Sequence, residues 1–186
     1  RPVTWELDMT NICNHRCPWC FGYYERENNK QSLRLKESRD IISQIKDFGA
    51  RGLTFTGGGE PLCNPHTLEA VEYARSTGLD IGFITNGMLM DKKSAAVILK
   101  NCSWVRISLD AAGADSFKFS HGIKKDGFGK VLKNIRTLVK QKQRLDSKCT
   151  VGIGYLTCGK TKREILKFAL LCRDLVVDYA QFRPLL

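Results

Sequence analysis

Eight residues near the start of the chain, Cys13 to Cys20, read C-N-H-R-C-P-W-C and set three thiols in one short stretch. Thiolates are soft ligands that suit zinc and iron–sulfur clusters. A closed structural zinc site or a complete cluster cage takes four ligands. Cys13, Cys17 and Cys20 therefore leave one coordination position open, and an open position is where a metal centre does chemistry. The residue types also admit zinc with His15 as fourth ligand, or a cluster that only carries electrons.

Other candidate residues recur where predicted strands end. Gly57 to Pro61 read G-G-G-E-P; glycines there allow positive φ and close approach of backbone to a ligand, as they also would in an ordinary turn. Thr85-Asn86-Gly87 and Ser108-Leu109-Asp110 close two further strands, with hydroxyl, amide and carboxylate groups that can bind a ribose diol or simply cap the strand. Strand alternation puts Arg106 on the side of Ser108. In V-G-I-G-Y, Gly152 and Gly154 precede Tyr155, and glycine within a strand marks close approach by ligand or backbone. Gln181-Phe182-Arg183-Pro184 ends the last strand, where Arg183 could pair with a carboxylate or be a surface cation. His121 follows Phe117 and Phe119, and a lone histidine of this kind is assigned no role. Cys102, Cys149 and Cys172 read as buried free thiols, while Cys63 and Cys158 fall near strand ends.

The elements that must position these residues alternate regularly. Strands are predicted over 3–8, 52–56, 79–85, 104–109, 149–156 and 177–182, and helices over 35–48, 64–77, 92–101, 127–145 and 162–174. Residues 24–32 and 113–125 are expected as connections. Six strands alternating with five helices call for parallel pairing through right-handed crossovers. Unusual residues concentrated after strands fit a barrel with its site at the strand C-terminal face, although pattern alone does not separate a barrel from a doubly wound sheet.

The cysteine spacing, with Trp19 just before the last thiol, resembles the motif of the radical S-adenosylmethionine (SAM) superfamily. G-G-G-E-P, S-L-D, the glycine strand and Q-F-R-P follow in that family's order across nearly the whole chain. The resemblance implies a partial (βα)6 TIM-like open barrel, with residues 1–186 forming one core domain that lacks its last helix. It implies that the three thiolates hold three irons of a [4Fe–4S] cluster and that SAM chelates the fourth. By the same resemblance, Gly58, Gly59 and Glu60 hold the SAM amino group, Asn86, Ser108 and Asp110 contact its methionine and ribose portions, Gly154 lies beside adenine and Arg183 faces the cofactor. Trp19 or Phe21 would shield the cluster or adenine. A reductant such as flavodoxin or ferredoxin is the implied electron source. Among subgroups, SPASM-like and MoaA-like enzymes are the nearest in motif, which favours a peptide or natural-product precursor as substrate over nucleic acid.

Composition bounds the rest. The chain has 186 residues, 42% hydrophobic and 26% charged, enough for one domain with a real core. Its start has no signal-peptide pattern and no run reaches the about 18 apolar residues of a membrane span, so it reads as cytoplasmic. Beginning inside the first strand and ending just after the sixth, it looks like the core of a longer protein. The net charge of +11 admits nucleic acid, an anionic membrane or an acidic partner. On the helix over 127–145, Lys130, Lys133, Arg136, Lys140 and Arg144 fall on one side at about 100° per residue, opposite Phe128, Val131, Leu132, Ile135, Leu138 and Val139. That basic face should point outward.

Overall fold

The computed structural model describes residues 3–22, 28–123 and 127–185. Alternation of apolar and polar residues builds six strands: β1 (Thr4–Asp8), β2 (Gly52–Thr56), β3 (Asp80–Thr85), β4 (Trp104–Ser108), β5 (Thr150–Thr157) and β6 (Tyr179–Pro184). All pair in parallel, in the order β1-β2-β3-β4-β5-β6. Sequential order in a parallel sheet means that every crossover steps to the next strand, which curls the sheet toward a barrel and leaves β1 and β6 as its two edges. The fold is thus an open, TIM-like α/β sheet with an incomplete wall.

Residues Leu7, Phe55, Phe83 and Val105 stand in register across β1 to β4, and all four are buried. Each such side chain contributes about 1.5–3 kcal/mol by leaving water, so this row fixes the strand registers. The helices α1 (Leu35–Asp47), α2 (Thr67–Ser76), α3 (Lys92–Asn101), α4 (Ala114–His121), α5 (Phe128–Arg144) and α6 (Ile165–Asp174) alternate with the strands. Neighbours α1 and α2, α2 and α3, and α3 and α5 pack side by side. The alternate strand positions, among them Glu6, Arg106 and Ser108, line a cleft instead.

Two connections depart from the reading above. The stretch 113–125 contains α4, which buries Phe117, Ser120 and His121. Within 24–32, Ser32 bridges Thr10, while part of that connection lies outside the described residues. Elsewhere the expected elements stand within a few residues of their bounds. On α5 the five cations Lys130, Lys133, Arg136, Lys140 and Arg144 are exposed, a sixth, Lys142, is half-buried and paired with Asp178, and Val131, Ile135, Leu138 and Val139 are buried beneath them. All eight cysteines are free thiols, with Cys102, Cys149 and Cys172 buried as expected; burial pushes Cys149 up to about 12 and Cys172 up to about 11. Among the described residues no helix is long and apolar enough to cross a membrane.

Candidate functional site

The cysteine loop leaves the C-terminal end of β1 and is tied to two other strand-end loops and to the end of α4. Glu60 N donates to Ile12 O at 2.9 Å, and Arg16 N donates to His121 O at 2.9 Å. Asn86 Nδ2 donates to Asn14 Oδ1 at 2.7 Å and lies 3.8 Å from Cys13 Sγ. Within the loop, Cys20 N donates to Cys17 O at 3.2 Å, and His15 N approaches Cys13 Sγ at 3.4 Å. The three cysteines are each half-buried. They line a cleft of about 370 Å³ together with Trp19, Glu60, Asn86, Ser108, Asp110 and Arg183. The strand topology thus brings residues from 13 to 183 to one mouth, at the strand C-termini. A larger hollow of about 650 Å³, bounded by Ser103 and Cys149, lies at the opposite strand ends and holds none of the candidate residues.

Gly59 shows why the sequence needs glycine after β2. A Cβ there would stand 2.3 Å from Ile12 O and 2.6 Å from Thr10 O, so only glycine lets the two loops touch. At Gly58 the nearest atoms would be 3.8 Å away, which leaves room on its side of the turn.

Glu60 is 2% exposed. Its carboxylate accepts from Thr85 Oγ1 at 2.6 Å, from Asn86 N at 2.7 Å and from Leu62 N at 3.2 Å. Burial pushes its pKa above the usual carboxylate range, against the pull of these three hydrogen bonds. The side chain therefore fixes the end of β3, and Asn86 with it, while an ionised carboxylate retains further acceptor capacity on the cleft side. Asp110 takes positive φ, 47°, which places its Oδ1 2.7 Å from Leu156 N. Its pKa is pushed up to about 6 by burial. Ser108 is half-buried on the cleft wall.

Arg106 also faces the cleft, with Nη1 donating to Gln181 Oε1 at 2.7 Å. Its Nε is buried without a hydrogen-bond partner among the described residues. Trp19 packs edge-on against Phe119, with ring centroids 5.5 Å apart. Phe21 is fully exposed, and Arg183 sits exposed on the rim.

The glycine strand divides by parity. Gly154 faces Arg106, and its carbonyl accepts from the backbone of Leu109 and Asp110. A Cβ at Gly152 would lie 2.0 Å from the Tyr179 ring, so that glycine makes room for a side chain of this chain. Tyr155, next after Gly154 in the strand, points the other way: it is fully buried against Phe168 and Phe182 and donates its hydroxyl to Thr161 O at 2.9 Å. Adjacent strand residues face opposite sides, which puts Tyr155 under α6.

His121, assigned no role from sequence, belongs to the site. Its Nε2 lies 2.8 Å from Leu109 O, an acceptor only, so Nε2 carries the proton. Burial lowers its pKa to about 4, and a neutral ring then offers Nδ1 as an acceptor. His15 Nδ1 is 3.0 Å away and Cys17 Sγ 3.6 Å. His15, Cys17 and His121 place one ligand atom each within 4.8 Å of one another. A single-ion site could draw on this trio. Nothing local in the sequence marks it, because the two histidines are 106 residues apart.

Residues 7–172 match the family model of the Radical SAM superfamily. The chain is 32% identical over 184 residues to GTP 3',8-cyclase of Chlorobaculum tepidum, covering 96% of this chain and 53% of that protein. It is 32% identical over 114 residues to mycofactocin maturase MftC of Mycobacterium ulcerans, covering 61% and 30%. It spans about half the length of the GTP cyclases it matches along nearly its whole length. In fold it resembles Streptococcus suis SuiB bound to its precursor peptide SuiA, with TM-score 0.80, 17% identity and coverage of 98% of this chain and 39% of that one.

Proposed function

The chain belongs to the radical SAM superfamily, whose enzymes use a [4Fe–4S] cluster and SAM, and on that footing we propose that Cys13, Cys17 and Cys20 are its cluster ligands. The donor set fits the group: three thiols on one loop, facing a cleft, supply one ligand fewer than a closed cage. When bound, cluster and SAM together supply a 5'-deoxyadenosyl radical that takes a hydrogen atom from substrate.

The chain's own residues bind and orient. Glu60 holds the end of β3 so that Asn86 reaches the cysteine loop, and its remaining acceptor capacity, with the backbone of Gly58 and Gly59, receives the SAM amino group. Ser108 and Asp110 receive the methionine and ribose portions. Gly154 leaves space for adenine beside Arg106. Trp19 covers the loop and excludes water, which protects a reactive intermediate, and Arg183 closes the rim. The single observation that carries this reading is the tying of the thiol loop to the G-G-G-E-P and T-N-G loops by Glu60 N to Ile12 O and Asn86 Nδ2 to Asn14 Oδ1.

For substrate, we favour a peptide or natural-product precursor handled in the cytoplasm. The fold likeness to SuiB and the sequence likeness to a maturase support it, while the likeness to GTP 3',8-cyclase supports a nucleotide as the second reading. The test is anaerobic. Protein reconstituted with iron and sulfide, given dithionite and SAM, should form 5'-deoxyadenosine, and Cys17→Ala should not. A colourless protein that retains zinc and forms no product would overturn the assignment. Adding precursor peptides or GTP to an active preparation then decides the substrate class.

A further inference from the structure

Helix α5 carries no aspartate or glutamate, and neither does α3, which packs against it. Lys130, Lys133, Arg136, Lys140 and Arg144 are exposed along α5, each three or four residues from the next. Like charges at that spacing repel and destabilise a helix. Lys92 and Lys93 extend the patch at the start of α3, where Asp91 is engaged by Ser94 N at 2.7 Å. Among the described residues none of these seven cations is in an ion pair. Interspersing both signs is what serves solubility alone. Along α5 this face concentrates a single sign, and those five cations gain no ion pair among the described residues for the repulsion they bear; Asp91 stands beside Lys93 at its edge.

Its placement says what it can serve. Asn134, between Lys133 and Arg136, donates Nδ2 to Gly87 O at 2.8 Å and Met88 O at 3.2 Å. That loop begins at Asn86, whose amide reaches Asn14 and Cys13 Sγ. The basic face therefore backs directly onto the loop that touches the thiols, yet lies on the flank of the barrel and not at its mouth. A substrate has to bring an atom into the mouth. An electron does not, since it can cross packed protein.

We infer that the α3–α5 face docks an acidic one-electron carrier protein that reduces the cluster. The inference rests on the proposed radical chemistry. The carrier is oxidised by one electron and the cluster reduced by one, and no atom or proton has to cross the interface. Opposite charge on the carrier would steer encounter, an effect worth about 10- to 1000-fold in association rate that salt screens.

The experiment compares two electron sources for 5'-deoxyadenosine formation by the reconstituted protein: dithionite, and an acidic flavodoxin kept reduced by its reductase. In the triple variant Lys133→Glu, Arg136→Glu, Lys140→Glu, the flavodoxin-driven rate at low salt should fall at least tenfold and lose its salt dependence, with the dithionite-driven rate unchanged. An unchanged flavodoxin-driven rate overturns the inference, as does an equal fall in both. Affinity for flavodoxin is measured in parallel by calorimetry on the wild type, the triple variant and the corresponding triple glutamine variant. Binding should be saturable and salt-sensitive in the wild type, weaker with glutamine and lost with glutamate. No wild-type binding overturns the docking face, whatever the turnover assay gives. Wild-type binding with no product under dithionite would instead remove the radical chemistry. If tRNA, and not flavodoxin, binds the wild type with a steep salt dependence that the triple variant lacks, the face serves nucleic acid and the inference fails.

Discussion

Substituting Gly59 by alanine tests whether the G-G-G-E-P loop is needed for its closeness to the thiols or only for being a turn. The added Cβ would meet Ile12 O at 2.3 Å, Asn11 C at 2.6 Å and Thr10 O at 2.6 Å. All three are backbone atoms of the cysteine loop, so no side chain can rotate away and the loop itself must shift. Overpacking costs about 1–3 kcal/mol, and a rigid contact of this kind belongs near about 3. For a chain of this length, 1 kcal/mol corresponds to about 2–4 °C in Tm, which gives a fall of about 6–12 °C by circular dichroism on the metal-free protein. Because the displaced atoms lead straight into Cys13, iron and sulfide content after reconstitution should fall as well. Gly58→Ala is the control: its Cβ would meet Asn11 and Asp8 only at 3.8 Å, so Tm should stay within about 2 °C and iron loading should be retained, as for a substitution costing under about 0.5 kcal/mol. If Gly59→Ala melts and loads like Gly58→Ala, the two loops are not in contact and the assembled site described above is wrong.

Three further outcomes follow from buried groups. Asp110 titrates near 6 in the fold and near 3.9 in an unfolded chain. The folded state therefore binds the extra proton between those values, and stability falls as pH rises from about 4 to about 6, by an order of 2–3 kcal/mol. Denaturant titrations of Asp110→Asn across that window should lose this slope. Glu60→Gln turns an amide N–H₂ toward one of the donors Thr85 Oγ1, Asn86 N or Leu62 N; with about 1–3 kcal/mol for the buried clash, Tm should drop and SAM affinity weaken with the loosening of Asn86. Gly152→Ala should destabilise by about 1–3 kcal/mol through the Tyr179 ring, and a double-mutant cycle with Tyr179→Leu should recover most of that loss; additive losses would refute the contact.

The cysteine triplet, the strand-end loops and the outward basic stripe could be read from sequence because each is a local pattern of spacing or period. Strand parity is equally readable: Tyr155, one position from Gly154, has to face the helices, and its burial against Phe168 and Phe182 follows. The helix α4 has no such local mark, because Phe117 and Phe119 are two apart, a spacing that argues against one helical face; only Phe117 is buried, while Phe119 meets Trp19. What no local pattern could contain is the joining of loops. Glu60 caps Thr85 and Asn86 across 25 and 26 residues, and His15 meets His121 across 106. Such pairs become visible only when parallel crossovers bring every strand end to one side. This is also why a motif residue can have two tasks: Glu60 reads as a ligand contact in sequence, but the same carboxylate first has to satisfy three donors of its own chain, so its substitution will disturb the scaffold before it reports on any cofactor.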